Sequence, residues 1–573
     1  MKKFLILASL LFFLPVFASE EGKKTNKTKR QAPLEIKVTP WGPTQSDVEL
    51  AKRRVLQDLN VQRELQGAKY RLVAFELIDD ESVKDKSLPS VPPSRYRAIL
   101  YDYTNNQAVI AEGDFDGKEP ITVKRSAFDP GVGDEELRAA YDLVAKSPEF
   151  ATLYDKHQIQ FYEPMPPTTH LNGERLVNVG VINLQTGQQE IVSVSFKDDK
   201  VIRYEAKAPP TAKASPEACG IQNSGQGATG RGVPGQYQLT ITQNGAPLWE
   251  MLVIRPSSSS GSSEGSGIEI RDVKYKGKSV LKRGHAPILN VKYINDTCGP
   301  FRDWQYSEGY FQIPTSGVQY PNGPSGGIAI LSSGVATTAI ETRNDQGNFQ
   351  GVAIYRQDVG YGEEVVLVTE MNAGWYRYVM EWRFAPDGTI RPRYGFASTA
   401  NSCVCNPRIH HVYWRFDFDI VQPNNKVFQI ERGRKFMKQI LTEAAIFRNY
   451  QTNRSFLIQN ADGDEAYILT PGFNDGSVAD RNGNLIDTFG AGDIWLLKFQ
   501  GTPNDPGELN DPNTSAAANL NPWVSGESID NQDIVIWYGA HRYRSDDTSI
   551  SNQRNEVISG VNIIGPTLKP VRW

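Results

Sequence analysis

Cysteine is nearly absent from this chain: Cys219, Cys298, Cys403 and Cys405 are the only four in 573 residues. So few cannot form a disulfide scaffold at this length, so the fold must rest on hydrophobic cores. The close pair Cys403-Val404-Cys405 leaves two readings open, one long-range disulfide to Cys298 or Cys219, or a thiolate ligand for a soft metal. An excess of either charge is also missing. The 62 basic and 66 acidic residues leave a net charge of -4, with no basic stripe to mark a nucleic-acid partner. Beyond the first 18 residues no apolar run reaches membrane-spanning length. There is no Walker loop, no His-Glu-x-x-His and no Gly-x-Ser-x-Gly elbow. Histidine is scarce too, six in all, and three of them (His410, His411, His541) fall in two short β-like blocks.

What is present begins with Met1-Lys2-Lys3, an apolar run from Phe4 and a small residue at Ala18. A basic start, a short apolar core and a small residue at its end make residues 1–18 a secretory signal. The expectation is an exported protein, periplasmic or extracellular, with no stable membrane insertion once the signal is removed. Residues 19–33 are polar and lysine-rich, a disordered leader. The 49 glycines, 35 prolines and many short alternating runs favour a β-rich chain with many turns, and the length implies several domains.

Two stretches repeat one order of elements. In 34–125, Ser46-Asp47-Val48-Glu49 reads as a capping box before a helix carrying Val48, Ala51, Val55 and Leu59. A strand at 71–78 and a hairpin at 96–115 follow. In 130–208, a helix carrying Leu137, Tyr141 and Val144 precedes a strand at 158–162, a hairpin at 175–196 and a strand at 200–206. The repeat is too long for a solenoid and reads as two small α+β modules. Residues 209–267 read as a linker region with a short β segment near Gly235–Thr242 and a Ser/Gly run from Ser257. Residues 268–573 read as strands and turns, with a helical segment at 432–447, and predict a large β-sandwich.

Within that last region stand Trp375-Tyr376-Arg377-Tyr378, Arg408-Ile409-His410-His411, Arg415-Phe416-Asp417-Phe418-Asp419 and Asp533-Ile534-Val535-Ile536-Trp537-Tyr538. In this order the blocks resemble the catalytic domain of the copper amine oxidases. The resemblance implies two cystatin-like α+β modules before a mainly-β sandwich of the amine oxidase type, and a homodimer. It implies oxidation of a small primary amine to aldehyde, ammonia and hydrogen peroxide, using copper and topaquinone, a quinone made from the protein's own tyrosine.

On this resemblance Tyr376 is the quinone precursor and His410 and His541 are copper ligands. The family's first histidine falls on Arg408, whose guanidinium cannot ligate. His411 is next in chain but should face the other side of a regular strand unless a bulge brings it round. Trp375 and Arg377 stand where the family carries an asparagine and an acid. Asp303 or Glu308 is the expected catalytic base. Asp417, Asp419 and Asp533 are the expected ligands of a peripheral calcium, since converging carboxylates suit a hard cation. The other reading is a degenerate homologue that keeps the fold and serves as an extracellular binding or structural protein.

Overall fold

The computed structural model describes residues 32–573, except 79–85, 87–89, 128, 165, 205–218, 222–225, 227–234, 260–266, 294–299, 304–306, 324–325, 361, 434, 479–491, 501–519 and 545–562. The signal segment 1–18 and nearly all of the leader lie outside the described residues. No helix among the described residues is long and apolar enough to cross a membrane.

Each small module is a helix packed on an antiparallel sheet. In the first, Gln45–Gln57 covers the strands Tyr70–Ile78, Arg95–Asp102, Gln107–Asp114 and Thr122–Ser126. Val48, Ala51 and Val55 recur on one face of the helix and are buried with Ala98, Leu100 and Val109. The capping box starts two residues earlier than the sequence suggests: Asp47 N donates to Thr44 Oγ1 at 3.3 Å and Thr44 N to Asp47 Oδ2 at 2.8 Å. In the second module Asp134–Lys146 packs on Glu174–Asn183 and its neighbours. Its Glu136 and Arg175 are both buried and satisfy one another, Arg175 Nη2 lying 2.9 Å from Glu136 Oε2.

Most of the remaining strands fall in two ladders. One runs through Glu35–Pro40, Gln236–Gln243, Ala246–Ile254, Glu269–Tyr275, Lys278–Tyr293, Arg408–Phe418, Gln532–Arg544 and Ile494–Lys498. The other runs through Val352–Asp358, Glu363–Ala373, Tyr376–Phe384 and Ile390–Ser398, then through Thr567–Arg572, Ala466–Thr470, Ser455–Asn460 and Asn424–Glu431. Tyr376, Trp382 and Phe384 from the second ladder share one buried core with Ile270, Trp414 and Phe416 from the first. Burial between two ladders explains why both carry so many aromatic and β-branched residues.

Three expectations change. Glu35–Pro40 pairs with Gln236–Gln243 and so belongs to the large sheet rather than to the first module. Gln236–Gln243 and Ala246–Ile254 are integral strands of that sheet, not part of a linker. The expected helix at 432–447 is instead the strands Phe436–Ile440 and Ala444–Ile446, because edge pairing with Asn424–Glu431 and Ile494–Lys498 outweighs local helix propensity.

Candidate functional site

Tyr376 opens its strand directly after the turn at Gly374 and is fully buried. Its ring meets the edge of the His410 imidazole, centroids 4.8 Å apart, and Tyr378 stacks beside it at 5.4 Å. The Tyr376 hydroxyl shares a hydrogen bond with that of Tyr293, which also accepts from Trp375 Nε1 at 3.1 Å. Burial holds the Tyr376 phenol well above its ordinary range, against the pull of Arg408. His410 lies flat on Phe396, centroids 4.4 Å apart. Its Nε2 accepts from Arg408 Nε at 3.4 Å, and the Arg408 guanidinium sits 5.5 Å from the centre of the Tyr376 ring. Arg408 Nη1 also donates to the carbonyl oxygens of Val404, at 2.8 Å, and Asn406, at 3.3 Å. Burial first, then Arg408, Arg544, His411 and Arg542, push the His410 pKa well below its ordinary value, so the ring is neutral.

Register decides which histidines meet. Arg408–Phe418 runs antiparallel to Gln532–Arg544, with His410 opposite Arg542, Arg408 opposite Arg544, and His411 opposite His541. Directly opposed residues share a face and neighbours alternate. The pairing expected between His410 and His541 is therefore not formed. His410 faces Tyr376, flanked on the adjoining strand by arginines, while His411 and His541 share the other face with Nδ1 atoms 2.9 Å apart. There is no bulge in this pairing to bring His411 round. His541 Nε2 lies 3.0 Å from Asp493 Oδ1. Asp493 also accepts from Arg448 N and Ser477 Oγ, both at 2.7 Å. Burial works to raise the Asp493 pKa, but Arg448 and the nearby His541 outweigh it and hold the carboxyl well below its ordinary range. Burial pushes His541 down to about 4, so at neutral pH it is an uncharged ring beside the carboxylate.

Asp417, Asp419 and Asp533 do converge, with one carboxylate oxygen from each within 4.8 Å of the others. Asp417 and Asp419 lie two apart on and just past one strand, and Asp533 stands near the start of the strand beside it. A residue that no motif marked sits among them. Lys86 Nζ is 2.5 Å from Asp417 Oδ1, 3.0 Å from Asp419 Oδ1 and 2.6 Å from Asp533 Oδ1. Burial raises Asp533 to about 7 and Asp419 to about 6, with Lys86 pulling the other way.

Comparison with solved structures places this architecture. A copper-containing benzylamine oxidase from Hansenula polymorpha superposes at a TM-score of 0.59 with 13% identity, over 93% of this chain and 97% of the other. An amine oxidase from Aspergillus nidulans matches at 0.55 with 14% identity, over 95% and 89%. A lysyl oxidase from Pichia pastoris matches at 0.55 with 11% identity, over 93% and 90%. The chain has the fold of the copper amine oxidases. No family model and no curated protein sequence matches it.

The residues on the Tyr376 face of this amine oxidase fold do not fit copper. His410 offers Nε2 to Arg408, and the two positions that flank it on that face, Arg408 and Arg544, carry permanent cations. The expected bases fit no better. Glu308 is fully buried and bound by Arg255, whose Nε donates to Oε1 at 2.9 Å, and by Ser257 N at 3.3 Å. Asp303 ends the strand Pro300–Asp303 opposite Leu289, and its side chain lies outside the described set. Arg377, at the position of the family's acid, is buried against Asp345, Nε to Oδ1 2.6 Å. Thiolate ligation is closed as well, since Cys219 is bonded to Cys405 and Cys403 is also in a disulfide. Of the residues that matter, sequence reasoning missed Lys86, Tyr293, Asp493 and Arg544.

Proposed function

We propose that this chain keeps the amine oxidase fold without copper–quinone chemistry and works as a non-catalytic binding or structural protein outside the cytoplasm. The observation that carries this reading is the Arg408 guanidinium, which occupies the lone pair of His410 and lies against the ring of Tyr376. Conversion of a tyrosine to a quinone needs a metal beside that ring. A fixed positive charge about 5 Å away would oppose a divalent ion by roughly 332 × 2/(20 × 5), or about 7 kcal/mol at an effective dielectric of 20. Export is inferred from the N-terminal segment, and a homodimer from the resemblance.

The second reading is an active oxidase acting on a small primary amine. It is supported by Tyr376 and His410 lying side by side. It would need Arg408 to leave His410 and another donor to arrive. The test is a peroxide-release assay with a panel of primary amines, on protein purified aerobically after Cu(II) loading. The non-catalytic reading expects no amine-dependent peroxide. Sustained peroxide release that is lost in Tyr376→Phe would overturn it.

A further inference from the structure

The acidic cluster carries its own cation. An ammonium group has three N–H donors and no acceptor. At Lys86 those donors meet three separate carboxylates, from Asp417, Asp419 and Asp533, at 2.5, 3.0 and 2.6 Å. The remaining side is covered by the Phe499 ring, whose centre is 4.5 Å from Nζ. The Lys86 side chain is only 6% exposed, so this is a built site and not a surface ion pair. The three carboxylates also lack room for a second ion in their midst, because one oxygen of each is already directed at the nitrogen. Two neighbouring cations complete the setting: Arg415 Nη1 lies 3.9 Å from Asp417 Oδ2, and Lys282 adds positive potential at Asp419.

Chain connectivity gives the contact its consequence. Lys86 lies between Tyr70–Ile78 and Arg95–Asp102 of the first module, whereas its partners lie on or just past strands of the sandwich 331 or more residues away in sequence. A second tie stands four residues on, where Ser90 Oγ donates to Asp272 Oδ2 at 2.5 Å and Lys282 Nζ reaches Asp272 Oδ1 at 2.7 Å. We propose that Lys86 is a resident cation standing where a hard divalent ion would otherwise bind. It clamps the first module to the sandwich and makes the wild-type protein indifferent to calcium. Its removal uncovers a three-carboxylate site that takes Ca²⁺.

This inference concerns a position separate from Tyr376 and is independent of whether the protein oxidises amines. Calcium needs six to eight oxygens at about 2.3–2.6 Å, which three carboxylates and water can supply only when the ammonium is gone. As a covalently attached group, Lys86 competes at a high effective concentration, and its release would expose three carboxylates around an emptied centre.

The experiment is calorimetric titration of the full mature chain with Ca²⁺, backed by Tb³⁺ luminescence, for wild type, Lys86→Ala and Lys86→Met. Wild type should bind no Ca²⁺ up to millimolar concentration, and its Tm should be unmoved by chelator or by Ca²⁺. Each lysine variant should bind one equivalent at least tenfold more tightly and gain Tm with Ca²⁺. Adding Asp417→Asn should remove that gain. One equivalent bound by wild type and lost in Asp417→Asn would overturn the proposal, as would a folded Lys86→Ala or Lys86→Met that still ignores Ca²⁺. If neither lysine variant folds, the wild-type titration decides: stoichiometric Ca²⁺ abolished by Asp417→Asn refutes the resident cation, and none supports it.

Discussion

Arg408 is one side chain, yet it alters the chemistry of two neighbours. It donates to His410 Nε2 and lies over Tyr376, and both effects vanish if it is shortened. Arg408→Ala should cost about 1–3 kcal/mol, since it strips the bonds to the Val404 and Asn406 carbonyls, and equilibrium urea unfolding measures this. His541 shows what burial does to a base. Its folded pKa, about 4, lies below the ordinary 6.5. A base depressed in the folded state adds stability above its unfolded pKa and loses it as pH falls through the folded value. The His541 contribution should fall by on the order of 3 kcal/mol between about pH 6.5 and about pH 4, so His541→Asn should lose less stability than wild type as pH drops through that range. Asp533 has the opposite sign. Raised to about 7, it contributes most below the unfolded carboxyl pKa and loses that contribution as pH rises toward 7. Asp533→Asn should therefore gain on wild type as pH is raised from about 4 to about 8, a difference read by unfolding both proteins across that range. Residues of this kind were half legible. Tyr376, His410 and the three aspartates stood in blocks with recognisable spacing, whereas Lys86 lies in a polar stretch with no pattern and reaches its partners only through tertiary packing.

Strands were easier to find than to orient. Arg408–Phe418 reads as β from its aromatic and β-branched content, but all eleven of its residues are buried, so no in–out alternation tells which side His410 faces. The adjacent His410 and His411 point to opposite sides, and a one-residue error in pairing exchanges their roles. The sequence blocks therefore suggest His410 as the partner of His541, and only the register with Gln532–Arg544 sets His411 against it. Gly539 keeps the His541 side of that strand open. A Cβ there would lie 2.9 Å from Tyr413 Cε1 and 3.1 Å from His541 Nε2, two packed rings. Gly539→Ala should destabilise by about 1–3 kcal/mol through overpacking, and should loosen His541 from Asp493, seen as a weaker acid-dependent slope in the same unfolding series. The strands Phe436–Ile440 and Ala444–Ile446 carry the reverse lesson. Their residues suit a helix, and pairing partners far off in the chain made them strands.

As a whole molecule, the chain keeps an architecture whose two expected metal positions hold the protein's own cations. Arg408 and Arg544 flank His410 where copper was expected, and Lys86 fills the triad where calcium was expected. The order of modules and sandwich was readable because it rests on periodicity and turn residues spread over hundreds of positions. The side chains that stand at the two expected metal positions were only hinted at by Arg408, since a charge's effect depends on what it faces. With Arg408 against its ring, Tyr376 is expected to stay a tyrosine. The most direct measurement is titration with phenylhydrazine of copper-loaded wild type, followed by its visible spectrum and the mass of the Tyr376 peptide. The expected result is no hydrazine-reactive band and an unmodified tyrosine mass. One hydrazone per chain, located on Tyr376, would contradict it.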